Sequence, residues 1–374
     1  MDLRHSDERE MLRSGLDKFL ASRYELERSR AATKTGTGWQ PDVWRAFAED
    51  LGILGAALPE RVGGSGGGPL EIMVIAESLG RALVVEPYVD TAVVAAGLLL
   101  RAGGAAATEV VEQIIAGTAV VALAAAEEQA GDRWQDVTTT ARRDEGGWVL
   151  RGQKTMAIGA PIATHLLVTA HTGDGVSLFL VDLGDVERGL EMHAMRTVDD
   201  RRAADLELTD LRLPHNALLG EQGQAWPSLA QARDEGAAAV CAEAVGAMRR
   251  VVADTVAYAK QRHQFGQPIA GFQALQHRMV DMYMELEQSA AAVHLAMLNL
   301  DADPPARARA VSAAKATIGR AARFVGQNAV QLHGGMGMTE ELAIGHYFKR
   351  LTAVQYEYGT TDHHVTRYAR LTTT

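Results

Sequence analysis

The chain is 374 residues long, 47% hydrophobic and carries a formal net charge of -10. That apolar content supports a large buried core and two or three domains. The acidic balance argues against a nucleic-acid partner, which requires a basic face, but allows an anionic ligand held in a local basic pocket.

Residues 1–10 are charged and polar, with no apolar stretch of the signal-peptide kind. Helical spacing of apolar residues follows over 8–28, 42–51 and 69–82, with Pro41 and Pro69 where helices start. The longest apolar run, 92–100, ends at Arg101 and is too short to cross a bilayer. The first region, 1–115, is expected to be a helical domain. From 116 to 226 the pattern changes to short runs of β composition: 120–125, 138–142, 148–151, 165–169, 177–181, 204–208 and 211–213. Turn residues separate them. This predicts a small antiparallel barrel or sandwich. From 227 to 374 long helical stretches return, at 233–261, 273–300 and 306–332, broken at 263–271, 303–305 and 333–339. They predict an up-and-down bundle of four helices. Cys241, the sole cysteine, excludes an intrachain disulfide and fits a reducing cytoplasm. The expected class is α+β, in the order helical, β, helical, in a soluble cytoplasmic protein.

Two segments carry chemistry. Arg262-His-Gln-Phe-Gly-Gln-Pro-Ile-Ala-Gly-Phe-Gln273 gathers a guanidinium, amides and an aromatic ring on one tight connection. Such a group can pair with a pyrophosphate and pack on an adenine, although a plain helix connection with a structural Arg has the same composition. Gln331-Leu-His-Gly-Gly-Met-Gly-Met338 ends a helix with glycines that let backbone approach a ligand, or that merely cap the helix.

Together with the order of regions, these motifs resemble the acyl-CoA dehydrogenase family over nearly the whole chain. Gly52-Ile-Leu-Gly55, Pro59-Glu60, Gly63-Gly64-Ser-Gly66, Glu77-Ser-Leu-Gly-Arg81 and Gly152-Gln-Lys154 are similar to further family segments. The resemblance implies FAD shared at a subunit interface. Its flavin ring lies on one protomer's middle domain, and its adenine and pyrophosphate are held by the neighbour's bundle. Arg262, Phe265, Gln273, Gln331, Gly334 and Gly335 match that reaching half.

The sequence departs from the family pattern in two places. Where many members carry the base in Tyr-Glu-Gly-Thr, this chain reads Gln355-Tyr-Glu-Tyr-Gly-Thr-Thr361, with Tyr358 at the base position and Glu357 one residue early. One residue is a rotation of about 100° on a helix, and a neutral phenol is a poor base at neutral pH. The alternative base position falls near Gly236, where Asp234 and Glu235 are off register. Glu243, two turns on, is left as the candidate: it lines an acyl cavity, acts as an unusual base, or pairs with a buried Arg. On the flavin side, the family's Thr-Glu-Pro-x-Ala-Gly-Ser-Asp reads Ala126-Glu-Glu-Gln-Ala-Gly-Asp-Arg133, and Met156 and Ile158 stand at usual Trp and Thr positions.

An intact reaching half with a degraded home pocket resembles the small, non-flavinated subunit of bacterial heteromeric acyl-CoA dehydrogenases acting on steroid side chains or dicarboxylyl thioesters. The implied partners are an acyl-CoA substrate, a second dehydrogenase-like subunit in an α2β2 heterotetramer, and an electron-transfer flavoprotein or similar acceptor. Neither a membrane nor a metal is expected; the His363-His364 pair lacks a further ligand set. A self-sufficient homo-oligomer using Glu243 or Glu357, and a flavin oxidase or hydroxylase of the same fold, remain alternatives.

Overall fold

A computed structural model describes residues 7–36 and 38–373. In chain order come α1 (Asp7–Arg23), α2 (Leu26–Lys34), α3 (Pro41–Glu49), α4 (Pro69–Arg81), a π-helix over Val89–Ala95 that runs into α5 (Ala96–Ala102), and α6 (Ala105–Ile115). Strands follow: β1 (Val121–Ala124), β2 (Thr140–Asp144), β3 (Gly147–Ile158), β4 (His165–His171), β5 (Val176–Asp182), β6 (Leu190–Arg196), β7 (Arg202–Leu213) and β8 (Leu218–Leu219). The chain closes with α7 (Trp226–Gln261), the hairpin β9 (His263–Gln264) and β10 (Gln267–Pro268), α8 (Gln273–Leu298), α9 (Pro304–His333), α10 (Ile344–Ala353) and α11 (Thr361–Thr372).

Two compact units emerge. One gathers α1, α4 and the chain from Ala237 onward; the other gathers 30–68 and 85–236. In the first, small residues let helices touch backbone to backbone. A Cβ on Gly80 of α4 would lie 2.0 Å from the Glu243 carbonyl of α7, and one on Gly246 would lie 1.9 Å from the Glu77 carbonyl. The two glycines are therefore required by this crossing, which fits the Ala- and Gly-rich composition. The helix starts are chemically marked. Pro304 opens α9, where the Asp303 carboxylate accepts from Ala306 N at 3.3 Å. The Thr360 hydroxyl accepts from His363 N at the start of α11.

In the second unit the strands form one eight-stranded sheet in the order β6-β7-β3-β2-β4-β5-β8, with β1 pairing in parallel on β4. The sheet is open, so the barrel half of the expectation is corrected. The terminal strands are β6 and the two-residue β8, which is too short to close a ring. The separate runs at 204–208 and 211–213 are one strand, β7, bent at Asp210, whose φ is 56°. Strand β6 escaped the sequence reading because it is an edge strand of mixed polarity, Leu-Glu-Met-His-Ala-Met-Arg. The sheet's inner face packs Trp148, Leu150, Leu166, Val168, Phe179 and Leu206. No helix among the described residues is long and apolar enough to cross a membrane.

Candidate functional site

The first motif folds as a two-residue β-hairpin. Gln264 pairs with Gln267, and the tip residues Phe265 and Gly266 have φ of 51° and 80°. Positive φ at both positions is the signature of a type I′ turn. A bulky aromatic there costs on the order of 1–2 kcal/mol, and its ring is 92% exposed, touching only the edge of Phe272 at 6.1 Å among aromatic rings. Burial of the ring therefore does not offset that cost. Arg262 stands at the hairpin's base, with its N–H on Tyr258 O (2.8 Å) and its carbonyl accepting from Ile269 N (2.8 Å). Gln273 opens α8 just beyond.

The second motif lies at the same end of the bundle. Tyr258 of α7 stacks on buried His333 of α9 at 4.3 Å, and its hydroxyl donates to the His333 carbonyl at 3.4 Å. His333 Nδ1–H in turn donates to Ala329 O at 2.8 Å. This joint brings the Arg262 hairpin and the Gln331–Gly335 cap together. Arg262, Phe265, Gln273, Gln331, Gly334 and Gly335 are all exposed. Gly334 has φ 59°, and open space lies beside both Gly334 and Gly335. A guanidinium, two carboxamides, an aromatic ring and unobstructed backbone form a donor set that suits the diphosphate and adenine of FAD.

The carboxylates near the base positions are differently employed. Arg350 of α10, buried, binds both. Its Nε and Nη2 hold Glu243 at 2.7 and 3.0 Å, while Nη1 and Nη2 hold Glu357, the latter at 2.9 Å. Of the roles open to Glu243, this geometry supplies the buried Arg pair. Glu235 is likewise engaged, bidentate on Arg101 at 2.7 and 3.0 Å. The segment after α10 is pinned from two further sides. The buried Lys315 ammonium donates to the Val354 and Gly359 carbonyls at 2.8 and 2.9 Å. His364 Nε2–H donates to Tyr358 O at 3.0 Å, leaving Nδ1 to accept from Ser312. Burial pushes the His364 imidazole down to about 2, so the ring stays neutral. Tyr358 is held at φ 55°. Sequence reasoning missed Arg350 and Lys315; the one available signal is that Arg350 precedes Glu357 by two helical turns.

In the sheet unit, Glu127 and Lys154 form a buried pair at 2.6 Å, with Thr169 Oγ1 accepting a second Lys154 proton at 2.9 Å. Burial resists the Glu127 charge. The Lys154 ammonium and donors on Thr138 and Thr139 outweigh it and hold the carboxyl at about 2. Burial draws Lys154 down to about 8 against the pull of Glu127. Beside this pair a cleft is lined by Glu128, Gln129, Thr138, Gly152, Gln153, Thr155, Glu207 and Leu208, which include two carboxylates and no cation. Ala126 offers the strand only its carbonyl, to Thr155 N at 2.9 Å. Met156 bulges at φ 50°, 48% exposed, its N–H on Asp205. The cleft sets its two carboxylates beside the neutral side chains of Gln129, Thr138, Gln153 and Thr155.

Helical segments on either side of an open β unit, ending in a long-helix bundle, have the order of the acyl-CoA dehydrogenase architecture, a class of flavin-dependent oxidoreductases. The chain belongs to the acyl-CoA dehydrogenase family: the models of its N-terminal, middle and C-terminal domains match residues 6–126, 122–211 and 223–372. It is 29% identical over 353 residues to acyl-CoA dehydrogenase IpdE2 of Mycolicibacterium smegmatis, covering 92% of each. Among solved structures it is similar to the steroid ACAD Tcur3481-Tcur3483, with 28% identity, TM-score 0.89 and 98% of each chain covered. It is also similar to the ChsE4-ChsE5 complex of Mycobacterium tuberculosis, with 26% identity, TM-score 0.89, and 100% and 99% covered. The activity is flavin-dependent acyl-CoA dehydrogenation, with FAD as the cofactor.

Proposed function

We propose that this chain is the non-flavinated subunit of a heteromeric acyl-CoA dehydrogenase, lending the bundle half of an FAD site to a catalytic partner. The observation that carries this reading is the contrast between its two candidate half-sites. The exposed Arg262–Phe265 hairpin beside open Gly334 and Gly335 suits a dinucleotide, whereas the cleft beside Glu127 presents Glu128 and Glu207. FAD supplies the acceptor for the hydride lost as a thioester becomes α,β-unsaturated. Arg262 neutralises diphosphate charge, Gln273 and Gln331 offer amides, and Phe265 packs on adenine. With Glu243 and Glu357 both bound to Arg350, α-proton removal falls to the partner's carboxylate. The names of two similar structures, each pairing two proteins, support an α2β2 assembly, and the first supports a steroid-derived acyl group. The test is co-expression with a neighbouring acyl-CoA dehydrogenase-like gene and measurement of FAD per chain. One FAD for every two chains is expected, and a yellow homo-oligomer with one FAD per chain overturns the proposal.

A further inference from the structure

Helix α8 carries two apolar faces, although a surface helix needs only one. The first packs inside the chain, where Met282, Leu286, Val293, Ala296 and Met297 are buried. The second meets solvent. Val280 and Leu295 are each 54% exposed, Met284 is 52% exposed and Leu298 is 36% exposed. At about 100° per residue, these four fall within an arc roughly 60° wide, centred nearly opposite the buried set. From Val280 to Leu298 the stripe runs about 27 Å along the helix. No Asp, Glu, Lys or Arg of α8 falls inside the arc. Exposed Asp281 borders it on one side, and Glu287, 3.7 Å from Arg249 of α7, borders it on the other. An apolar strip with a charged rim is the anatomy of a protein interface.

Toward its N-terminus the same arc contains His277 and then Gln273, the residue that opens α8 beside the Arg262 hairpin. Helix α9 repeats the alignment. Phe324 is 37% exposed and stands seven residues before Gln331, two helical turns, so the two share a face. On each helix, then, the exposed apolar side chains continue the face that offers a carboxamide to FAD.

We propose that the outer face of α8, with Phe324 of α9, is the docking surface for the flavin-bearing subunit, an inference that rests on the heteromeric reading above. The continuity with Gln273 and Gln331 selects this occupant. On that reading one FAD runs from the partner's ring pocket to Arg262, Gln273 and Gln331, which brings the partner's surface against the end of the bundle where the stripe starts. A second copy of this chain would place two reaching halves together with no flavin between them. The stripe then supplies the apolar core of the contact, and the dinucleotide lies at its end.

Thiol labelling tests this. Cys241, the native thiol, is buried and pushed up to about 12, so it does not react. Met284→Cys therefore introduces one reactive thiol. N-ethylmaleimide should modify it readily in the chain purified alone, and at least about tenfold more slowly in the complex co-expressed with the neighbouring dehydrogenase-like gene. Leu295→Glu, at an exposed position, should leave the unfolding midpoint of the isolated chain in place while weakening assembly at least about tenfold, because docking would bury an unpaired carboxylate. If Met284→Cys reacts equally fast in a complex that holds one FAD for every two chains, the surface is overturned and the heteromeric reading stands. If the thiol is already protected in the chain alone, the face joins copies of this chain and the proposal is overturned. If no complex forms, both fall.

Discussion

Glu127 and Lys154 stand close enough, and dry enough, that neither tolerates loss of the other. Lys154→Met leaves a buried carboxylate facing only the neutral donors of Gln129, Thr138 and Thr139, and should cost about 3–5 kcal/mol in urea unfolding. Two groups with the largest shifts shape the acid limb of the stability curve, with buried His165 acting in the same direction as His364. His364, neutral in the fold down to about 2 but protonated below its ordinary 6.5 when unfolded, contributes stability that is lost as pH falls below that ordinary value. Glu127, held at about 2 against an ordinary 4.5, contributes stability that is lost only as pH falls from there toward 2. His364→Gln should therefore reduce the slope of the urea midpoint between pH 6.5 and 4.5, by up to about 1.4 kcal/mol per pH unit, and leave the fall below 4.5 in place. The Arg350 cluster makes a kinetic prediction. Glu357→Gln and Tyr358→Phe should leave turnover of the assembled enzyme within a few fold. Glu243→Gln should lower stability by about 1–3 kcal/mol and change rate little. A base contributes about 10²–10⁴ in rate, so loss of turnover on that scale with FAD and assembly intact would make Glu243 the base.

Among elements, the β9–β10 hairpin and the end of α9 act as one device, because the Tyr258–His333 stack fixes their relative placement. Arg262→Ala should weaken FAD retention in the complex, with about 1.5–3 kcal/mol at stake for a hydrogen bond to a charged group. Gln331→Ala should act in the same direction and less. Both residues are exposed, so the unfolding midpoint of the isolated chain should not move. Unchanged FAD content in both variants would show that this end of the bundle does not touch the cofactor. Lys315 works differently, as the donor that caps the carbonyls following α10. Lys315→Met should loosen 354–360, visible as faster amide exchange there, without altering exchange in the hairpin.

For the whole molecule the decisive measurement is colour: the chain purified alone should lack stoichiometric FAD. The reason lies in residue types legible without coordinates, since Ala126, Asp132, Met156 and Ile158 name their own departures, and the Arg262 and Gln331 motifs name what they resemble. Helical and β regions were legible too, because periods of 3.6 and 2 follow from burying one face of each element. Strand closure was not legible, because it depends on whether β6 and β8 meet, and pairing between distant strands leaves no local signal. Nor was the fate of Glu243. Its partner Arg350 lies 107 residues away on α10, and the packing of helices so far apart in sequence leaves no local signal. Sequence by itself determined the family. Only the tertiary structure decided which charges are already spent on one another, because burial and distance, not residue identity, fix whether a carboxylate has a proton to take or a guanidinium to hold.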